Sequence, residues 1–237
     1  MPANRRYLTL TAVSLLFATA CIGGAVTMGI TGKRIWDIPV FGGSESAQPL
    51  TNQLSPEEVQ RIAHSITVKV LSNKTSGSGI LVGKKGANGK KEDIYSVLTN
   101  RHVLVPGEPY RIQTPDGKIY QANVVKDVNF KGSDLALLQF NSAQDYTLAE
   151  LMSVSTLAVN QQVFAAGFVS DIKKLVFTSG EVSLLPDKAF QDGYQIGYTN
   201  NVQKGMSGGP ILNQRGEVIG INGIIANPIW GDPYVFK

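Results

Sequence analysis

Gly205-Met206-Ser207-Gly208-Gly209-Pro210 sets one serine among glycines. Glycine permits backbone dihedrals closed to other residues and lets a substrate approach the chain closely. Backbone N–H groups in such a turn can converge on a developing oxyanion. The chemistry this pattern could do is acyl transfer with Ser207 as nucleophile. The plain alternative is a glycine-rich loop between strands with a serine in its turn.

A serine nucleophile needs a base, and the 237-residue sequence offers two histidines, His64 and His102. The G-x-S-x-G spacing also fits the nucleophile elbow of α/β-hydrolases, in which the acid and then the histidine follow the serine. No histidine follows Ser207, and the βαβ pattern is missing, so that arrangement is excluded. His64 closes a short helix, where the dipole alone favours a cation. His102, in Thr99-Asn100-Arg101-His102-Val103, follows the apolar run Ile94 to Leu98 and so sits at a strand end, where a base can reach a nucleophile from another element. For the orienting acid, most aspartates are turn residues or lie in exposed polar stretches. Asp134 differs, because it opens the apolar run Leu135-Ala136-Leu137-Leu138. A carboxylate entering a buried strand is costly unless hydrogen-bonded, and an imidazole Nδ1–H would satisfy it and fix the tautomer a base needs.

Many short strands must position these residues. Ser55-Pro56-Glu57-Glu58 is a helix start, with a capping hydroxyl, an early Pro and acids at the positive end of the dipole. The period then becomes strand-like. Six runs are expected in the first half: Ile66 to Leu71, Ile80 to Val82, Ile94 to Leu98, Tyr110 to Gln113, Ile119 to Val125 and Leu135 to Phe140. Ser76 to Gly79 reads as a turn, Pro115-Asp116-Gly117 as a hairpin turn, and Leu148 to Met152 as a short helix. The second half also reads as six runs: Gln162 to Phe168, Lys174 to Leu185, Tyr194 to Thr199, Pro210 to Leu212, Val218 to Ile225 and Tyr234 to Phe236. Regularly spaced short strands without alternating helices argue for an all-β barrel or sandwich in two lobes.

The order His102, Asp134, Ser207 on an all-β background resembles the chymotrypsin-like (trypsin-like) serine peptidases. Thr99 to His102, Asp134 to Leu138 and Gly205 to Pro210 are similar to the family's three motifs, and the resemblance covers roughly residues 64–237. Gly77-Ser78-Gly79-Ile80-Leu81-Val82 is most similar to the bacterial exported branch, which includes HtrA-type and glutamyl-endopeptidase-type enzymes. The resemblance implies two six-stranded antiparallel β-barrels with a short N-terminal helix, and lobes at about 64–150 and 155–237 of a peptidase domain spanning 54–237. It implies that His102, Asp134 and Ser207 are catalytic, that the Gly205 and Ser207 amides form the oxyanion hole, and that Asn201, Gly223 and Ile224 line the substrate pocket. No acid stands at Asn201, which argues against a preference for Arg or Lys before the cut. Met206 replaces the aspartate that pairs with a freshly cut N-terminus in digestive relatives. Gly223 replaces the Ser or Thr that often contacts the triad aspartate. No C-terminal helix and no PDZ-like module is expected within residues 1–237. The expected function is peptide-bond hydrolysis through an acyl-enzyme. The alternative is a catalytically silent peptide-binding module on the same fold.

Composition narrows the partners and the compartment. One cysteine excludes an internal disulfide, and one cysteine with two histidines cannot supply the four ligands of a Cys/His zinc site. No metal and no cofactor is expected. The formal net charge of +4 falls to +2 once Arg5 and Arg6 are set aside, which is no nucleic-acid footprint. Lys84, Lys85, Lys90 and Lys91 read as a solvated hairpin loop. Arg5-Arg6 followed by an uncharged run to Gly32 reads as a signal peptide or a membrane anchor over residues 1–32, with Cys21 an ordinary leader residue or a lipidation site. Residues 33–53 read as a linker. The protein is expected to be exported, periplasmic or extracellular, acting on peptides or proteins.

Overall fold

A computed structural model describes residues 53–73, 75–86, 91–152 and 157–225 and the backbone of Thr11–Ser14, with the side chains of Gln191, Ile224 and Ile225 excepted. The described elements all fall within one compact unit. They are β1 (Thr11–Ser14), α1 (Pro56–Ile66), β2 (Thr67–Ser72), β3 (Thr75–Lys85), β4 (Asp93–Thr99), β5 (Tyr110–Gln113), β6 (Ile119–Val124), β7 (Ala136–Ser142), β8 (Gln162–Phe168), β9 (Leu175–Leu184), β10 (Tyr194–Tyr198), β11 (Pro210–Leu212) and β12 (Val218–Ile225). One closed barrel runs β2-β3-β4-β7-β6-β5 and a second runs β1-β10-β9-β8-β11-β12. This is the chymotrypsin-like, all-β architecture that the resemblance implies, where the run pattern by itself argued only for an all-β barrel or sandwich in two lobes.

Helix α1 begins as its sequence predicts. Ser55 Oγ accepts the Glu58 amide at 3.3 Å, and the Glu58 carboxylate accepts the Ser55 amide at 2.8 Å, a reciprocal capping box. His64 lies in the last turn, exposed to solvent. The apolar face, Val59, Ala63 and Ile66, joins a core shared with Val163, Ala165, Ile196, Ile211 and Ile221 of the second barrel. The Leu54 amide donates to the Gln214 carbonyl at 2.8 Å, so the helix entry is tied to the turn between β11 and β12.

Two local expectations are corrected. Ser76-Gly77-Ser78-Gly79 is not a turn but lies inside β3. Its glycines answer to close packing: a Cβ on Gly77 would lie 2.7 Å from a Val103 methyl, and one on Gly79 would lie 2.6 Å from a Val97 methyl. Glycine in a strand often marks such an approach rather than a bend. Leu148 to Met152 forms no helix. Leu151 makes an isolated parallel bridge to Val218, and the Met152 amide donates to the Val218 carbonyl, so pairing to a barrel strand takes up the backbone groups that a helix would have used.

The second barrel takes its sixth position from β1, which pairs antiparallel with both β10 and β12. Thr11–Ser14 falls within the stretch read as a leader. A short apolar run suits a leader and a barrel strand alike, since periodicity does not separate them. The rest of that stretch, the linker to residue 52, and the expected run Tyr234 to Phe236 lie outside the described residues. Lys90 does too, while Lys84 and Lys85 lie not in a loop but at the end of β3, paired with Tyr95 and Ile94 of β4, and Lys84 forms ion pairs with Asp93 at 3.0 Å and Asp145 at 2.8 Å.

Candidate active site

Register brings His102 and Asp134 together. Thr99, the last residue of β4, pairs with Ala136, the first of β7. In an antiparallel pair the residues after one strand and before its neighbour emerge at the same end. A 3₁₀ turn over Arg101–Leu104 then turns His102 back toward the start of β7. The Asn100 side chain donates to the Asp134 carbonyl at 3.0 Å, as does the Arg101 amide at 3.3 Å. His102 Nδ1 lies 2.5 Å from Asp134 Oδ2, and the His102 amide donates to Oδ1 at 2.9 Å. The Asp134 side chain is 6% exposed and that of His102 43%, so the acid is sheltered while the imidazole reaches the surface. Burial works to raise the Asp134 carboxyl. The His102 and Tyr194 donors and the nearby imidazole outweigh it and hold the group below its ordinary value.

The serine loop is shaped by contacts that leave no room for a Cβ. Gly205 has φ +96° and Gly208 φ +88°, both left-handed conformations that favour glycine. A Cβ on Gly208 would lie 2.0 Å from the Ser78 carbonyl oxygen. The loop is bound to the first barrel through β3. The Ser78 amide donates to the Ser207 carbonyl at 2.7 Å, and the Ser78 hydroxyl donates to the Gly205 carbonyl at 2.9 Å while accepting the Phe168 amide at 2.7 Å. Asn222, fully buried in β12, accepts the Gly208 amide on its carbonyl and anchors β8 through its side-chain amide on the Ala166 carbonyl at 2.8 Å. The Met206 amide is taken by Gln203, and the Gly208 amide by Asn222. Among the described residues the Gly205 and Ser207 amides have no internal acceptor. Two unspent donors flanking a serine can receive an oxyanion.

The remaining sequence candidates sort unevenly. The Ser207 hydroxyl donates to the Gly223 carbonyl at 3.3 Å, which places Gly223 beside the serine. Asn201 is exposed, whereas its neighbour Asn200 is fully buried and donates to the Val163 and Thr178 carbonyls. Ile224 continues β12 in its backbone, and its side chain lies outside the described residues. Met206 is fully buried in the core, where its sulfur accepts the Gln203 amide at 3.4 Å, so apolar packing occupies the place of an ion pair. Sequence reasoning missed Ser78, Asn222 and Tyr194. Asn222 carried a weak signal, a polar residue inside an apolar run, while Ser78, within a serine-glycine stretch, and Tyr194 carried none.

Comparison with known sequences agrees with this geometry. A family profile described as trypsin-like peptidase domain matches residues 77–221, more than half of the chain and all three motifs. A protein of Buchnera aphidicola subsp. Schizaphis graminum, named as a probable periplasmic serine endoprotease DegP-like, is 31% identical over 164 residues, covering 66% of this chain and 31% of the relative. The periplasmic serine endoprotease DegP of Salmonella typhimurium is 34% identical over 144 residues, covering 57% and 29%. Serine protease HTRA4 of Mus musculus is 29% identical over 184 residues, covering 73% and 31%. The chain thus spans about a third of the length of the curated relatives it matches. With two six-stranded barrels, the motif order and the profile match in agreement, this chain belongs to the trypsin-like peptidase family.

Proposed function

We propose that the chain is a serine endopeptidase that cleaves peptide bonds through an acyl-enzyme formed on Ser207. The observation that carries this reading is the sheltered His102–Asp134 contact at 2.5 Å, set at the same end of β4 and β7. In this mechanism Ser207 Oγ attacks the peptide carbonyl, and His102 takes its proton and later returns it to the leaving amine. Asp134 holds the imidazole tautomer and stabilises the imidazolium, and the Gly205 and Ser207 amides receive the oxyanion. Water then attacks the acyl-enzyme with His102 again acting as base. The residue before the cut is neutral or apolar, since Asn201 brings no charge to the pocket.

The relatives named as periplasmic support export to the periplasm, with residues 1–32 directing it as a cleaved signal, whereas a retained anchor would compete with the pairing of Thr11–Ser14 in the second barrel. Among the described residues no helix is long and apolar enough to cross a membrane. The mass of the mature N-terminus distinguishes the two forms, and cleavage at the end of this segment would also remove β1.

Labelling with a fluorophosphonate probe tests the reading. The wild-type protein should label, and Ser207→Ala and His102→Ala should not, with peptidase activity reduced on the order of 10⁴-fold. Labelling that survives Ser207→Ala would overturn it. One observation favours a second reading, a silent peptide-binding site: the Ser207 hydroxyl rests on the Gly223 carbonyl. Stoichiometric peptide binding without turnover or labelling would establish that reading instead.

A further inference from the structure

Asp134 has a donor from the opposite lobe. Tyr194 opens β10 in the second barrel and is fully buried. Its hydroxyl donates to Asp134 Oδ2 at 2.5 Å, the same oxygen that meets His102 Nδ1. The preceding 3₁₀ turn, Gln191–Gly193, contacts the loop leading into β7. The Asp134 amide donates to the Asp192 carbonyl at 2.8 Å, and Arg101 Nη2 pairs with Asp192 Oδ1 at 3.0 Å. A Cβ on Gly193 would lie 2.5 Å from the Ser133 hydroxyl. The turn is therefore seated by backbone and side-chain contacts before Tyr194 makes its own.

We propose that Tyr194 is a positioning residue for the His102–Asp134 pair, fixing the carboxylate plane from across the two lobes and drawing part of its negative charge away from the imidazole. The proposal rests on the serine-peptidase reading. A buried carboxylate needs donors on both oxygens to hold one orientation. Here Oδ1 has the His102 amide and Oδ2 has His102 Nδ1 and the phenol. Gly223, where the family's hydroxyl donor would stand, has no side chain to contribute. Burial, and then the Asp134 carboxylate beside it, hold the Tyr194 phenol well above the ordinary tyrosine range, so it stays a donor at every pH at which the enzyme works. Among the described residues, the charged or titratable groups beside the pair include Arg101 and Asp192, paired with each other, and Tyr198, whose hydroxyl donates to Asn222 Oδ1 at 2.7 Å.

The sign of the effect follows from the charge. Without the phenol, more of the carboxylate's charge faces the imidazole and stabilises its protonated form, so the acid limb of the pH–rate profile moves to higher pH. Tyr194→Phe keeps the ring and should lower kcat about tenfold with KM unchanged, and move the acid limb up by about half a unit to one unit. Site-specific 3-fluorotyrosine at position 194, a stronger donor, should move the limb the other way. A Tyr194→Phe profile that overlays wild type while Ser207→Ala is inactive would overturn the role of Tyr194 alone. Full activity in Ser207→Ala would overturn the serine-peptidase reading itself. If Tyr194→Phe fails to fold, the fluorotyrosine protein carries the test, and an unshifted limb there refutes the proposal. The imidazole proton resonances of His102, which must be separated only from those of His64, read the same shift without turnover.

Discussion

Ser78→Ala should separate a designed tether from an incidental contact. The Ser78 hydroxyl is fully buried and makes two bonds, accepting the Phe168 amide at 2.7 Å and donating to the Gly205 carbonyl at 2.9 Å. The substitution leaves both partners in place and removes the atom between them. An orphaned buried polar group costs about 1–3 kcal/mol. A carbonyl with a second lone pair and a half-buried amide both fall at the lower end of that range, so the two together cost about 2–4 kcal/mol. For a domain of this size each kcal/mol lowers Tm by about 2–4 °C, so the midpoint should fall by about 5–15 °C. The Gly205 carbonyl would also be free to turn, carrying the Gly205–Met206 peptide with it. Chemistry should suffer more than binding, with kcat reduced about tenfold or more and KM little changed. Thermal or urea unfolding measures the first effect and steady-state kinetics the second. Ser76→Ala, two residues away in β3, serves as the control and should stay within about 0.5 kcal/mol. A Ser78→Ala loss no larger than that of Ser76→Ala would refute the reasoning, because it would mean that neither partner depends on this hydroxyl.

Met206→Asp should destabilise the protein by about 3 kcal/mol or more, or prevent folding, because the side chain is fully buried among apolar residues. Recovery of a wild-type Tm would contradict that. The Asp134 carboxyl is held below its ordinary value, so it contributes stability that is fully present above about pH 4 and is lost as pH falls through its lower native value. Unfolding free energy plotted against pH should therefore decline less steeply on the acid side in Asp134→Asn than in wild type, and parallel curves would contradict the assignment.

The strand runs were legible because barrel strands alternate or run apolar between turn residues. Gln162–Phe168, Pro210–Leu212 and Val218–Ile225 have the bounds that their residues imply. His102, Asp134 and Ser207, the proposed catalytic residues, stood out for a different reason, since each is a polar residue set against an apolar run or a glycine loop. Ser76 to Gly79 misled because glycine signals both turns and close approach, and only the position of Val103 and Val97 against β3 decides which. Leu148 to Met152 misled because a short apolar run takes its conformation from whatever backbone lies beside it, here Val218. The strand at Thr11–Ser14 was illegible for the same reason, as its partners β10 and β12 lie far along the chain.

Residue types and local spacing thus determined the all-β class and the helix cap at Ser55, and they singled out His102, Asp134 and Ser207, the residues proposed as base, acid and nucleophile. These depend on side-chain chemistry and on neighbours within a few residues, which any sequence carries. Tertiary structure alone decided that Ser78 ties β3 to the serine loop, that Asn222 ties that loop to β8, and that Tyr194 reaches Asp134 from the other lobe. Each joins residues dozens of positions apart, and a hydrogen bond is made only where the closed barrels bring donor and acceptor within about 3 Å.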